Sequence, residues 1–376
     1  RRPRSAGAGT VREFLTISGF DSYLTPEITC ELMPGVPGMD EITAAELHSE
    51  FNVTLNGTDA LNMGIKGLLG GKRSSDPVPH VITTVLEHNS VSRPLQSMAD
   101  AGVIELTRVE CDDEGFVTVD AVEAAIRPNT TLVVMTHCSN VLGTIQDITA
   151  IGKLVRNRDL LFFVDAAQTA GVVPIDIQAM NIDLLAFPGH KSLLGPTGTG
   201  ALYVGSRCPL PQLDQFNPWR EGGTGGDSAT PTQPPIWPYY LEGGTPNTVG
   251  IAGLSAGIDY VLEKGMDSIR EHEQQMVQKI IDRFAKDERF TIYGSLDATR
   301  RVGTLCLNIK GYEPADVGTI LDDSFDIAVR PGLHCAPYAH KQVGTFPAGS
   351  VRISPGAFNT NEELDQLLDA LDQIAG

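Results

Sequence analysis

The chain has 376 residues, enough for one large domain and a smaller second one. An apolar share of 41% and a charged share of 20% describe an ordinary soluble protein, and a formal net charge of -19, with only Arg1, Arg2 and Arg4 locally clustered, argues against nucleic acid as a partner. No run of 18 apolar residues predicts a membrane span, no secretory signal opens the sequence, and the six cysteines (30, 111, 138, 208, 306 and 335) form no C-x-x-C pair, which argues against a metal site or redox dithiol and suits a reducing cytoplasm.

Residues 1–50 mix turn signals with one short helical pattern and are expected to form a divergent or truncated N-terminal segment. "FNVTL" (51–55) alternates apolar and polar residues, and "NGTDALN" (56–62) opens a helical pattern. From residue 80 onward, short apolar runs alternate with helix-like spacing. The runs are "HVITTVL" (80–86), "GVIELTRV" (102–109), "TTLVVMTH" (130–137), "DLLFFVDAA" (159–167), "DLLAF" (183–187) and "GALYVG" (200–205). Between them, "TVDAVEAAIR" (118–127) and "DITAIGKLVRNR" (147–158) read as helices. Continuous apolar strands are those covered on both faces, so the pattern predicts an α/β fold with a mainly parallel sheet.

Residues 206–249 are dense in Pro and Gly but interspersed with Trp and Tyr, which predicts long ordered loops. A helical stretch follows over 250–287, then strand-like "RFTIYG" (289–294), "VGTLCLNIKG" (302–311) and "SFDIAVR" (324–330). The closing "NTNEELDQLLDALDQIAG" (359–376) predicts a helix with a polar start. We expect a large domain over 51–258 and a smaller α+β domain over 259–376.

In an open α/β sheet, ligands bind beyond the carboxyl ends of the strands. The predicted ends offer Glu87, His88, Asn89 and Ser90; His137, Cys138, Ser139 and Asn140; Asp165 and Gln168; and His190 and Lys191. Each admits a plainer role: Asp165 as a helix N-cap, Lys191 as a surface lysine, Thr58 as a cap, His88 as a structural histidine. Together they describe a pocket. A lysine in a semi-apolar site has a lowered pKa and condenses with aldehydes, and a buried aspartate wants a cationic partner. Pyridoxal phosphate needs both, a lysine for its aldehyde and an acid for its ring nitrogen. The N-terminus at Gly57, Thr58 and Asp59 would bind a phosphate. "GPTGTG" (195–200) lacks the Lys-Ser/Thr of a nucleotide loop and precedes a strand, so it is rejected as a nucleotide site. No G-x-G-x-x-G opens a helix after the first strand, which disfavours an NAD oxidoreductase.

The segments "VDAAQTAG…FPGHKSLLGPTGTG", "EHN", "THCSNVLGT", "EGGTPNT" and "RPGLHCA" together resemble the class V aminotransferase superfamily, and most of all its group II cysteine desulfurases. The resemblance spans roughly residues 50–376. It implies the type I pyridoxal-phosphate-dependent transferase fold, a seven-stranded sheet with a smaller C-terminal domain, and a homodimer with sites at the subunit interface. Lys191 then resembles the cofactor-carrying lysine, Asp165 the partner of the ring nitrogen, Gln168 the partner of the ring hydroxyl and His88 the histidine stacked on the ring. Thr58, Asp59, His190 and, from a second subunit, Thr245 resemble the phosphate site, and Asn140 the residue near hydroxyl and substrate. Arg352 in "SVRISPG" resembles the arginine that forks onto the substrate carboxylate, with Arg330 close by. Pro188 departs from the pattern, standing where many relatives place a hydroxyl residue. The implied reaction converts L-cysteine to L-alanine, with sulfur passed to Cys335 as a persulfide, and His88 or His334 assisting proton transfer. The implied setting is sulfur metabolism and iron–sulfur cluster assembly. The alternatives are a selenocysteine lyase acting on L-selenocysteine, an aminotransferase or epimerase of the same family, and a pyridoxal-phosphate fold with impaired catalysis.

Overall fold

The computed structural model describes residues 51–70, 77–208, 216–223, 228–236 and 238–376; the expected N-terminal segment at 1–50 lies outside them. The apolar runs become strands β1 (Phe51–Thr54), β2 (His80–Thr84), β3 (Glu105–Val109), β4 (Thr130–Thr136), β5 (Leu161–Asp165), β6 (Leu184–Pro188) and β7 (Gly200–Val204). They form one sheet in the order β1-β7-β6-β5-β4-β2-β3. Strands β6, β5, β4, β2 and β3 run parallel, and β7 is antiparallel to both β6 and β1.

Side chains alternate between the faces of a strand. Leu132 and Val134 of β4, with Leu184 and Ala186 of β6, enter one apolar cluster. Their neighbours Val133, Met135, Leu185 and Phe187 enter another. Both faces are dry, which is why these strands are continuously apolar.

Helices α1 (Gly57–Gly70), α2 (Asn89–Asp100), α3 (Val119–Ala125) and α4 (Ile148–Asn157) connect the strands. Side-chain caps fix their starts. Asn56 Oδ1 accepts the Asp59 N–H of α1, His88 accepts from Ser90 on α2, and Asp147 accepts from Ala150 on α4. At Gly64 and Gly67 of α1, a Cβ would stand 2.5 Å from the Phe163 ring and 2.2 Å from the Phe216 ring, so glycine sets how closely this helix packs.

The 206–249 stretch contains no strand or α-helix before Thr248 among the described residues. Its aromatics tie it down: Phe216 is fully buried, and Tyr240 OH donates to the Phe216 carbonyl at 2.6 Å. Helices α5 (Thr248–Lys264) and α6 (Met266–Phe284) follow. The expected domain boundary at 258/259 falls within α5.

The remaining chain builds a second, antiparallel sheet in the order β10-β11-β9-β8, from β8 (Phe290–Tyr293), β9 (Leu305–Ile309), β10 (Arg330–Gly332) and β11 (Ser350–Ile353). Helices α7 (Pro314–Phe325), α8 (Pro337–Gln342) and α9 (Asn361–Ala375) accompany it. The strand expected at 324–330 is displaced: α7 runs through Phe325, Asp326 ends it in the left-handed conformation (φ 57°), and pairing begins only at Arg330. Pro314, at the start of α7, nucleates a helix whose apolar residues Val317 and Leu321 reach the second core, and this tertiary contact outweighs the local strand propensity. The closing helix has the expected polar start, a capping box between Thr360 and Glu363. No described helix is long and apolar enough to cross a membrane.

Candidate active site

Because β2, β4, β5 and β6 are parallel, their carboxyl ends share one edge. The loops leaving that edge carry His88, Asn140, Asp165 and Lys191, residues dispersed over about a hundred positions of sequence. They line a chamber of about 550 Å³ together with Gly57, Thr58, Ser90, Gln168 and His190. A second chamber of about 450 Å³ shares His88, Asn140, Gln168 and Lys191 and is walled by Arg330 and Arg352 of the smaller sheet and by His334 in the turn after β10.

Asp165 closes β5 and is 3% exposed. Its Oδ1 accepts the Ala167 N–H at 2.9 Å, and its other oxygen has no donor among the described residues. Burial raises its pKa, and the nearby Lys191 opposes that rise. Burial lowers the pKa of Lys191, Asp165 pulls it back, and Arg352 pushes it further down. The plain surface-lysine role is therefore excluded by position. The Asp165 side chain does bond the second following backbone N–H, so its role as a local turn cap coexists with its place in the chamber.

His88 is both helix cap and chamber wall. Its Nδ1 accepts the Ser90 N–H at 3.1 Å and lies 2.8 Å from Ser90 Oγ. Burial first, then Lys191, depresses its pKa to about 4, so the ring is neutral at pH 7 with its proton on Nε2. Ser90 Oγ also meets Thr58 Oγ1 at 2.6 Å. That contact joins the starts of α1 and α2 at one end of the chamber. The leading N–H groups of α1, at Gly57 and Thr58, have no acceptor inside the helix, and both residues line the chamber. His190 lies at the same chamber, exposed.

One expected phosphate ligand is placed differently. Asp59 does not line either chamber: its carboxylate accepts Leu55 N–H and Trp219 Nε1–H and pairs with Arg220 at 3.0 Å, while its own N–H is held by Asn56. It anchors the Trp219–Arg220 loop to α1. Thr245 is exposed and lies outside both chambers of a single chain. Pro188 lines the large chamber beside Gly57, where a Cβ would come within 3.1 Å of the proline ring. Thr197 and Gly198 of "GPTGTG" also line it, so that loop serves the site without being a nucleotide loop.

In the smaller chamber, Arg352 Nη1 donates to the Asn140 carbonyl at 3.0 Å, and its Nε is buried with no partner among the described residues. Arg330 Nη2 lies 3.5 Å from Cys335 Sγ. Cys335 is half-buried, whereas Cys111, Cys138, Cys208 and Cys306 are buried. Burial pushes the thiols of Cys111 and Cys306 up to about 11 and those of Cys138 and Cys208 up to about 12. Those four are packing residues, chemically silent at neutral pH. No cluster of metal-ligating side chains occurs among the described residues.

Sequence reasoning missed two roles. Ser90 was seen only as one of several polar residues after β2, yet it links Thr58 to His88. Glu87 is fully buried behind the chamber, where Oε1 accepts Thr84 Oγ1–H at 2.6 Å and Thr136 N–H at 3.1 Å. Burial, reinforced by Asp165, raises its pKa to about 8 against the opposing hydrogen bonds. Its only sequence signal was a charged residue directly after an apolar strand.

Comparisons with known proteins agree with this architecture. Residues 39–367 match the family model described as aminotransferase class-V. A probable cysteine desulfurase of Methanothermobacter thermautotrophicus is 35% identical over 332 residues, covering 87% of this chain and 80% of the relative. A cysteine desulfurase of Salmonella agona is 35% identical over 298 residues, covering 78% and 71%. Among solved structures, the apo cysteine desulfurase of Thermococcus onnurineus superposes with a TM-score of 0.81 at 30% identity, covering 96% of this chain and 85% of that one. Cysteine desulfurase CsdA of Escherichia coli, in an S-sulfonic acid form, superposes with a TM-score of 0.79 at 25% identity, covering 99% and 87%.

Proposed function

The chain belongs to the class-V aminotransferase family, and from that premise we propose that it is a pyridoxal-phosphate-dependent cysteine desulfurase. The observation that carries the reading is a pair of chambers that share His88, Asn140, Gln168 and Lys191. A lysine of lowered pKa and a buried carboxylate line the larger one, and two arginines line the smaller one, one of them touching the half-buried Cys335 thiol.

The donor set suits pyridoxal phosphate. Asp165 is a buried residue with one carboxylate oxygen that no described donor reaches, fitting a ring nitrogen, and His88 is a neutral imidazole at the chamber wall. Gln168 and Asn140 offer amides for the ring hydroxyl. The α1 N-terminus, the Thr58 and Ser90 hydroxyls and His190 suit a phosphate, and Thr245 of a second copy completes the set in a homodimer. When bound, the cofactor supplies an aldehyde for an amino group and a ring that withdraws electrons from the α-carbon.

The protein's own groups do the rest. Arg352 orients the substrate through its carboxylate. Lys191, whose proton affinity burial reduces, accepts the α-hydrogen as a proton. Neutral His88 holds a donatable proton on Nε2. Cys335 attacks the substrate sulfur. An S–S bond forms, the Cβ–S bond breaks with its electron pair left on carbon, and a proton completes the methyl group of L-alanine. The hydrogens balance: the substrate's own S–H stays on the persulfide, and the α-proton and the Cys335 thiol proton supply the α-carbon and the methyl group of L-alanine.

Two measurements test this. Protein supplied with pyridoxal phosphate should show a visible absorbance band that Lys191→Ala removes; a folded wild type without the band would sink the cofactor reading. Cys335→Ala should keep the band and lose sulfide release from L-cysteine in reductant. Wild-type sulfide release by that variant would remove the cysteine from the mechanism, and a strong preference for L-selenocysteine would reassign the enzyme as a lyase.

A further inference from the structure

We propose that the first backbone N–H of α2, on Asn89, and the Asn140 side chain are positioning groups for Cys335, clamping the thiol-bearing turn to the carboxyl edge of the large sheet. His334 and Cys335 are consecutive non-glycine residues in left-handed backbone, with φ of 48° and 60°. Side chains with a Cβ disfavour that region, and two in succession persist only where the surroundings over-determine them. Here the constraint comes from across the pocket. The His334 carbonyl accepts Asn140 Nδ2–H at 2.7 Å, and the Cys335 carbonyl accepts the Asn89 N–H at 2.7 Å. From the other side, the His334 ring is tied through Nε2 to the Ser350 carbonyl at 3.0 Å. The thiol leaves this turn 3.5 Å from Arg330 Nη2.

The first N–H groups of a helix have no acceptor within it, so α2 offers the Asn89 N–H outward at no internal loss. The residue before it, His88, caps the same helix and walls both chambers. One helix start therefore fixes both the histidine that walls the two chambers and the carbonyl of Cys335. The inference rests on reading Cys335 as the sulfur acceptor and adds what sets the thiol in place.

Asn89→Pro deletes the donor alone. Proline is well accepted at a first helical position, and the residue before it must be extended, as His88 already is (φ -63°, ψ 154°). The assay is alkylation of Cys335 by iodoacetamide in the full-length, cofactor-loaded protein, followed by peptide mass spectrometry. Asn89→Ala, which keeps the N–H, is the control, and the buried cysteines 111, 138, 208 and 306 report global unfolding. The expected result is at least threefold faster alkylation of Cys335 in Asn89→Pro, the wild-type rate in Asn89→Ala, and no change at the four buried thiols. In turnover, kcat for sulfide release should fall at least tenfold with KM for L-cysteine unchanged. Alkylation at the wild-type rate in folded Asn89→Pro, or a raised KM with kcat intact, overturns the proposal. Should Asn89→Pro fail to fold, amide exchange in the wild type decides: the Asn89 amide should exchange at least tenfold slower than an unprotected peptide, and exchange at the unprotected rate overturns the clamp. Alkylation and exchange involve no turnover, so they stand apart from any failure to release sulfide from L-cysteine.

Discussion

Glu87→Gln should make the protein more stable as the pH rises, with almost no effect in acid. Glu87 is fully buried at the end of β2, and its pKa is raised from 4.5 to about 8, chiefly by burial. Between those two values the folded protein holds a proton on this carboxyl that the unfolded chain has released. The unfolded state therefore binds fewer protons, and stability falls as pH rises through that window. At about 1.4 kcal/mol per pH unit, this one group removes roughly 4 kcal/mol between pH 5 and pH 8. Glutamine keeps the oxygen that accepts from Thr136 N–H and Thr84 Oγ1–H but never ionises. The stability gap between variant and wild type should thus be near zero at pH 5 and widen to about 4 kcal/mol by pH 8. Urea unfolding at four pH values across that range, under reducing conditions, measures it. A gap that stays constant with pH would show that Glu87 titrates alike in both states and would refute the burial argument.

Arg352→Ala should raise KM for L-cysteine by about 10- to 100-fold, the loss of a charge-assisted fork on the substrate carboxylate; steady-state kinetics with an unchanged KM would exclude that role. Phe163→Ala should destabilise the protein by about 3–5 kcal/mol, because the fully buried ring fills the space left by Gly64 on α1; chemical denaturation checks this, and a loss below about 1 kcal/mol would mean that the site collapses around the smaller side chain.

Much of the architecture follows from local pattern. The runs at 80–86, 130–137, 159–167, 183–187 and 200–205 are apolar without alternation, and only a sheet dry on both faces accommodates such strands. Caps at Asn56, Asp147 and Thr360 are equally local, since a side chain needs only a backbone N–H three residues on. Lys191, Asp165, His88 and Asn140 were legible because each lies at or shortly after the end of a strand and parallel strands bring those ends together. What the sequence left open depended on contacts distant in the chain. Asp59 stands at the helix start expected for a phosphate, but Trp219 and Arg220, 160 and 161 positions away, draw its carboxylate into a structural pair. Ser90 gains its role only because α1 and α2 start side by side, bringing Thr58 within 2.6 Å. The segment at 324–330 had strand composition, yet the packing of α7 on the second sheet delays the strand to Arg330. Cys335 could be singled out from the segment around it, but its setting comes from Asn89 and Asn140 on the far side of the pocket. Propensity and capping act over a few residues and can be read along the chain, whereas a hydrogen bond spanning some two hundred positions exists only once the topology has closed.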